Sequence, residues 1–217
     1  MEIWIGCFLL MGVSLAQAED WPAWRGPSAN GISAETGWSA ESAKVKWTKE
    51  VGVGYSSVSV NGGDPLLVPG NKVFISTGYK KGCALLDYSS GKLEKVWENN
   101  LIQSHFGSCV LIGREIYGID GQTKSKGFLR CISVEDGSEK WNTQIGFGSL
   151  MVADGKLIVL DEKGTLHFAK TIPDKYVEIA KPGTGLKKLC WTQPVLANGT
   201  VYCRNDKGKL VAVDVSK

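Results

Sequence analysis

Short apolar runs broken by glycine-containing turns recur along this chain. Four stretches line up: "LLVPGNKVFIST" (66–77), "VLIGREIYGID" (110–120), "LMVADGKLIVLDEKGTLHF" (150–168) and "PVLANGTVYCRNDKGKLVAVD" (194–214). Each holds an apolar run, a turn and a second apolar run. The turn glycines are Gly70, Gly113, Gly155 and Gly199, spaced 43, 42 and 44 residues apart. The runs are rich in Val, Ile, Leu and Tyr and are bounded by Gly, Asp, Asn and Ser, the pattern of short strands. In the second unit the pattern predicts strand a over 107–112, b over 114–119, c over 127–134 and d over 138–142. "SSG" (89–91) and "EDG" (135–137) fall where a c–d hairpin needs residues tolerant of positive φ. Trp97 and Trp141 follow those turns, on strand d. The third unit lacks the Trp, and "KYVEIA" (175–180) is its expected strand d.

Four strands at so even a period, with no helical periodicity, predict an all-β chain. The architecture expected is a β-propeller of four-stranded antiparallel blades, about four of them. A β-sandwich lacks such a fixed period. The last unit supplies strands a, b and c but no d. "AKVKWTKEVG" (43–52) carries a Trp in the same context as "KVW" (95–97) and "EKW" (139–141), with no a–b–c strands before it. It is therefore the expected strand d of the last blade, so that the N-terminal strand removes an open sheet edge.

"DWPAWRGPSANGIS" (20–33), "VKWTKEVGVGYSSVSVNGG" (45–63) and the blade end at 84–97 together resemble the exported PQQ-like β-propeller repeat proteins. These are distantly similar to the propeller lipoprotein of outer-membrane assembly. The resemblance runs over about 20–217. It implies about seven or eight blades, within the usual propeller range, whereas four are visible. "YSSVSVNGG" (55–63) reads as a strand a, yet another strand a follows at once at 64–74, as if middle blades were missing near 61–64. Two assemblies are expected: a compact four-bladed ring, or a homodimer in which two half-rings complete one larger propeller.

"IWIGCFLLMGVSL" (3–15) followed by "AQA" (16–18) reads as the apolar region and cleavage pattern of a signal peptide. The expected organisation is a signal peptide over 1–18, an N-terminal extension over 19–42 that forms no strand through 33, and the propeller over 43–217. Trp21 and Trp24 of the extension are expected to pack on the outside or one end of the ring. The predicted location is periplasmic or secreted. No later apolar run reaches the length of a membrane span. The net charge of +3 is scattered, which excludes the clustered basic footprint of a nucleic-acid binder. Cys83, Cys109, Cys131, Cys190 and Cys203 lie singly in apolar runs without C-x-x-C spacing, which argues against zinc and for small buried hydrophobes. One disulfide among them stays open.

In a propeller, residues just before strand a face the mouth of the central channel. Eight residues before the turn glycines stand His105, Phe147 and Trp191, and the same count from Gly62 gives Gly54. Gln103 and Gln193 lie nearby. These five side chains, His105, Phe147, Trp191, Gln103 and Gln193, are the candidate ligand site, a concave pocket with a few polar groups. Packing between blades is the bland role for Phe147 and Trp191. His105, set in "QSHFGS", is the more informative residue.

The leading functional reading is a non-catalytic exported scaffold that binds a protein or a small molecule. The alternative is a quinone (PQQ)-dependent dehydrogenase, which the PQQ-like resemblance suggests. That chemistry needs a metal beside the quinone and an acidic base. The chain has no Cys-Cys pair, and Asp87, Glu135, Asp136, Asp161 and Asp214 fall mostly at strand ends and turns. No cofactor and no metal are expected, and the residues give PQQ no support.

Overall fold

The computed structural model describes residues 25–26, 28, 30–50, 66–105, 107, 109–121, 126–187 and 189–216. The expected signal peptide, Trp21, Trp24, Gly54 and the extra strand at 55–63 lie outside the described residues. β1 (Ile32–Ser33) and β2 (Lys44–Glu50) come first. The first blade holds β3 (Leu66–Val68), β4 (Lys72–Thr77), β5 (Gly82–Asp87) and β6 (Glu94–Asn99). The second holds β7 (Val110–Ile112), β8 (Glu115–Asp120), β9 (Phe128–Ser133) and β10 (Glu139–Gln144). The third is built from β11 (Gly148–Ala153), β12 (Lys156–Asp161), β13 (Leu166–Lys170) and β14 (Glu178–Ala180). The fourth takes β15 (Val195–Ala197), β16 (Thr200–Arg204) and β17 (Lys209–Asp214).

Within each blade neighbouring strands pair antiparallel. The a–b hairpins turn where the glycine period places them. In the third and fourth blades Asp154 and Gly155 (φ 47° and 65°) and Asn198 and Gly199 (φ 52° and 66°) form two-residue turns. Both central residues have positive φ, the geometry that matches strand twist and selects Asx-Gly pairs.

The expected closure of the last blade is present. The fourth sheet has the order β15-β16-β17-β2, with Val211 opposite Thr48 and Ala212 opposite Trp47. β17 is thereby covered by a strand from the other end of the chain.

The N-terminal extension departs from expectation. It was expected to form no strand, but Ile32 and Ser33 pair parallel with Val152 and Ala153, adding a fifth strand to the third sheet. A closed loop before β1 and a backbone bond to β11 set this pairing. The carbonyl of Arg25 accepts from Gly31 N at 2.9 Å, and Gly31 O accepts from Val152 N at 3.0 Å. The segment then crosses the blades. Arg25, 3% exposed, donates to the Cys109 carbonyl of the second blade at 3.1 Å. The buried Glu35 carboxylate accepts from Gly199 N in the fourth blade. Trp38 packs on Phe168 and lies under the Lys156 ammonium, 4.5 Å from its ring centroid.

Among the described residues the core divides into three clusters, each between neighbouring blades. Phe74, Leu85, Ile116 and Ile132 join the first blade to the second. Tyr117, Leu129, Leu157 and Val159 join the second to the third. Ile158, Leu160, Phe168, Val201, Val211 and Val213 join the third to the fourth. The alternation of side chains along each strand gives every blade two apolar faces, and stacking buries them. The expected strand d of the third blade is there but shorter, at Glu178–Ala180.

The five cysteines of the blades are buried free thiols. Burial pushes Cys83 and Cys131 up to about 11 and Cys109 and Cys190 up to about 12, and raises Cys203 as well. They pack as small apolar side chains, as their settings suggested.

Candidate functional site

The connections that lead from strand d of one blade to strand a of the next gather at one end of the propeller, with the b–c loops. Three of the five expected residues meet there. The rings of His105 and Phe147 have centroids 6.3 Å apart, and Phe147 meets Trp191 edge-on at 6.4 Å. Each ring comes from a different connection, so the repeat itself brings them into one row.

The row has a fourth member, Tyr79, from the b–c hairpin of the first blade. Its ring stands at 89° to His105 with centroids 4.7 Å apart, and its hydroxyl and His105 Nε2 share a hydrogen bond of 2.7 Å. Tyr79 is 68% exposed, whereas Phe147 is 1% exposed. Phe147 is therefore a packing residue that backs the row, the bland role considered for it. Tyr79 and the half-buried His105 and Trp191 carry the accessible surface.

Tyr79 escaped the sequence because its turn breaks the usual rule. Tyr79 and Lys80 both adopt positive φ, 59° and 63°, in a turn that normally selects Asn-Gly. Non-glycine residues held there store strain, which concentrates at functional positions. Gly78 makes room: a Cβ on it would lie 3.2 Å from His105 Cδ2. The double positive φ was not readable from "TGYKKG".

The two glutamines do not join the row through any described contact. Gln193 Nε2 donates to the Leu150 carbonyl at 2.9 Å, tying the fourth blade's entry to the third blade's inner strand. Gln103 Nε2 reaches the Asn100 carbonyl at 3.3 Å. The small polar residues around His105 are latches. Ser104 N donates to Ser76 Oγ at 3.0 Å, and Ser104 Oγ to the Ile119 carbonyl at 3.0 Å. Gln103 N donates to Asp120, whose other oxygen receives Arg130 at 3.0 Å. The imidazole is thus mounted on a fixed loop. Burial pushes its pKa below the ordinary 6.5, so it is neutral at pH 7.

A second polar cluster lies inside the third blade. Asp161 accepts the amides of Lys163 and Thr165, each at 2.9 Å, and meets His167 Nε2 at 3.2 Å. Glu178 stands 3.7 Å from His167 Nδ1. Burial works to raise the Asp161 pKa, but the His167 and amide hydrogen bonds outweigh it and hold it below the usual range. His167 is 1% exposed, so this cluster locks a turn. At the other end of the blades, Asp87, Asp136 and Asp214 accept from Ser89, Ser138 and Ser216, which lowers their pKa values. Turn geometry is the role expected for these carboxylates. Among the described residues no group of three or more His, Cys, Asp or Glu is placed to hold a metal ion. No described helix is long and apolar enough to cross a membrane.

A family model described as outer membrane protein assembly factor BamB matches residues 28–143. No curated protein matches the chain. Among solved structures, BamB from Moraxella catarrhalis superposes with a TM-score of 0.53 at 14% identity, over 70% of this chain and 42% of that one. The computationally designed Ika8 protein gives 0.54 at 11% identity, over 70% and 45%. Sqt1 from Saccharomyces cerevisiae gives 0.53 at 13% identity, over 71% and 45%. At these identities the likeness is one of fold. The alignments cover less than half the length of each of the three structures.

Proposed function

This chain belongs to the PQQ-repeat propeller family described as outer membrane protein assembly factor BamB, and on that premise we propose that it is a non-catalytic, exported binding scaffold. Its partner is a protein that docks on the aromatic row at the loop end. The observation that carries the reading is the row itself. Tyr79, His105 and Trp191 come from three different connections and keep surface exposed, Tyr79 edge-on to His105 and His105 linked to Trp191 through Phe147. Rigid aromatic anchors beside a hydrogen-bonding edge are what protein interfaces use as centres of binding energy. The family's printed description, an assembly factor, supports a protein as partner. The apolar stretch and cleavage pattern at 3–18 support export.

The test is a photo-crosslinking amino acid placed at Tyr79 in the organism that carries the protein. Tyr88, 44% exposed on the c–d hairpin at the opposite end, is the control position. A protein adduct from position 79, absent from 88 and lost with Trp191→Ala, is the expected result. Equal adducts from both positions, or none from 79, would overturn the reading. The scaffold needs no quinone. PQQ added to the purified protein should leave its tryptophan fluorescence unchanged, and saturable quenching would restore the dehydrogenase alternative.

A further inference from the structure

The strand-d tryptophans do a specific job between blades. Trp97 Nε1 of the first blade donates to the Val134 carbonyl of the second at 3.0 Å. Its ring also lies over the second blade's c–d glycine: a Cβ on Gly137 would come within 2.7 Å of it. Asn99 Nδ2 adds a bond to the Gly137 carbonyl at 2.9 Å. Trp141 repeats the clamp on the third blade, donating to the Ile172 carbonyl at 2.9 Å. The first and second blades thus each present a Trp to the next blade, which offers it a seat.

The first blade has a seat that no described residue fills. Its c–d glycine is Gly91, with φ +77° like Gly137 at +72°, and no described atom lies within 4 Å of a Cβ built there. The face above it is open too. Ile75 is 43% and Val96 44% exposed. Val73 and Ile75 hold the register positions of Leu157 and Val159, which are fully buried in the third blade. Among the described residues no core cluster joins the fourth blade to the first.

The fourth blade carries the matching Trp. Trp97 pairs with Leu85, Trp141 with Cys131 and Trp47 with Ala212, the same register step of strand d each time. We propose that the first blade's open face receives the fourth blade of a second copy of this chain, with β2 of that copy laid along the Gly91 turn at the register step that Trp97 and Trp141 hold in their own blades. Two four-bladed arcs then close one eight-bladed ring through two identical contacts. The solved propellers reported above, of whose length the alignments cover 42–45%, have room for two such arcs. Glu98 on the receiving face and Arg204 on the fourth blade are of opposite sign. This inference goes beyond the binding row and does not depend on it. In the closed ring two aromatic rows stand on the same rim.

Light scattering on the purified full chain at micromolar concentration is the test. The expected mass is that of two chains. Ile75→Glu and Val96→Glu, both at exposed positions that do not threaten the fold, should each give one chain's mass with an unchanged β-sheet circular dichroism spectrum. A single chain's mass for the unaltered protein would overturn the proposal and point to closure within one chain. Three or more copies would overturn it as well, since a ring of two would not have closed. Persistence of the double mass in both folded variants would place the contact elsewhere.

Discussion

His105 and Tyr79 show how a side chain can be mounted for contact at a cost to its own preferences. The imidazole pKa is lowered by burial, so the folded state disfavours its protonation. The stability tied to this group is present above its ordinary pKa of 6.5 and lost as pH falls through the lowered folded value. Unfolding followed from pH 7 downward should therefore show a loss that His105→Asn flattens; an unchanged profile would mean the ring protonates freely. Lys80 is exposed and sits at φ 63°. Lys80→Gly should raise stability by about 0.5–1 kcal/mol, the left-handed penalty less the entropy of glycine. Thermal melting checks it, and a drop would show that the strain is absent. Gly137 is the opposite case. Its φ of +72° and the Trp97 ring leave no space for a Cβ, so Gly137→Ala should cost about 2 kcal/mol or more. The sequence marked Gly137 as a turn residue but gave no sign of the ring above it, because that ring belongs to the previous blade, 40 residues away.

Strands were the most legible elements, since a period of two and Asx-Gly turns are local signals. β7 to β10 fall within two or three residues of their expected bounds. β2 was legible for a different reason: its "VKW" matched the other strand-d contexts, and the pairing of Ala212 with Trp47 follows. β1 was not legible. Two residues after a glycine carry no periodicity, and their strand character comes from the parallel edge of β11 that they meet. Of the site, His105, Phe147 and Trp191 were found because the repeat fixes their place. Gln103 and Gln193 were drawn in by proximity alone, and both spend their side-chain amides on backbone carbonyls. The clamp makes its own prediction at this scale. Trp141→Phe keeps the ring against Tyr117 and Tyr176 but strands the Ile172 carbonyl, at about 1 kcal/mol. A double-mutant cycle with Tyr176→Leu should show that the hydrogen bond and the ring contact act separately.

Stability across the whole molecule follows from blades that touch only their neighbours, as in other repeat arrays. The third blade is buried on both faces and carries β1 on its inner edge; every residue of β11 is buried. The first blade has one buried face, and its strand d is exposed at Glu94, Lys95, Val96 and Glu98. Amide exchange should therefore be slowest in β11 to β13 and fastest in β4 to β6 when the protein is dilute enough to be one arc. Raising the concentration should slow β4 to β6 and leave β11 to β13 unchanged, because only the first blade's face gains a cover. Uniform protection at every concentration would mean that the four blades open as one unit, with no free end. A gradient that ignored concentration would leave the arc open and its first seat empty.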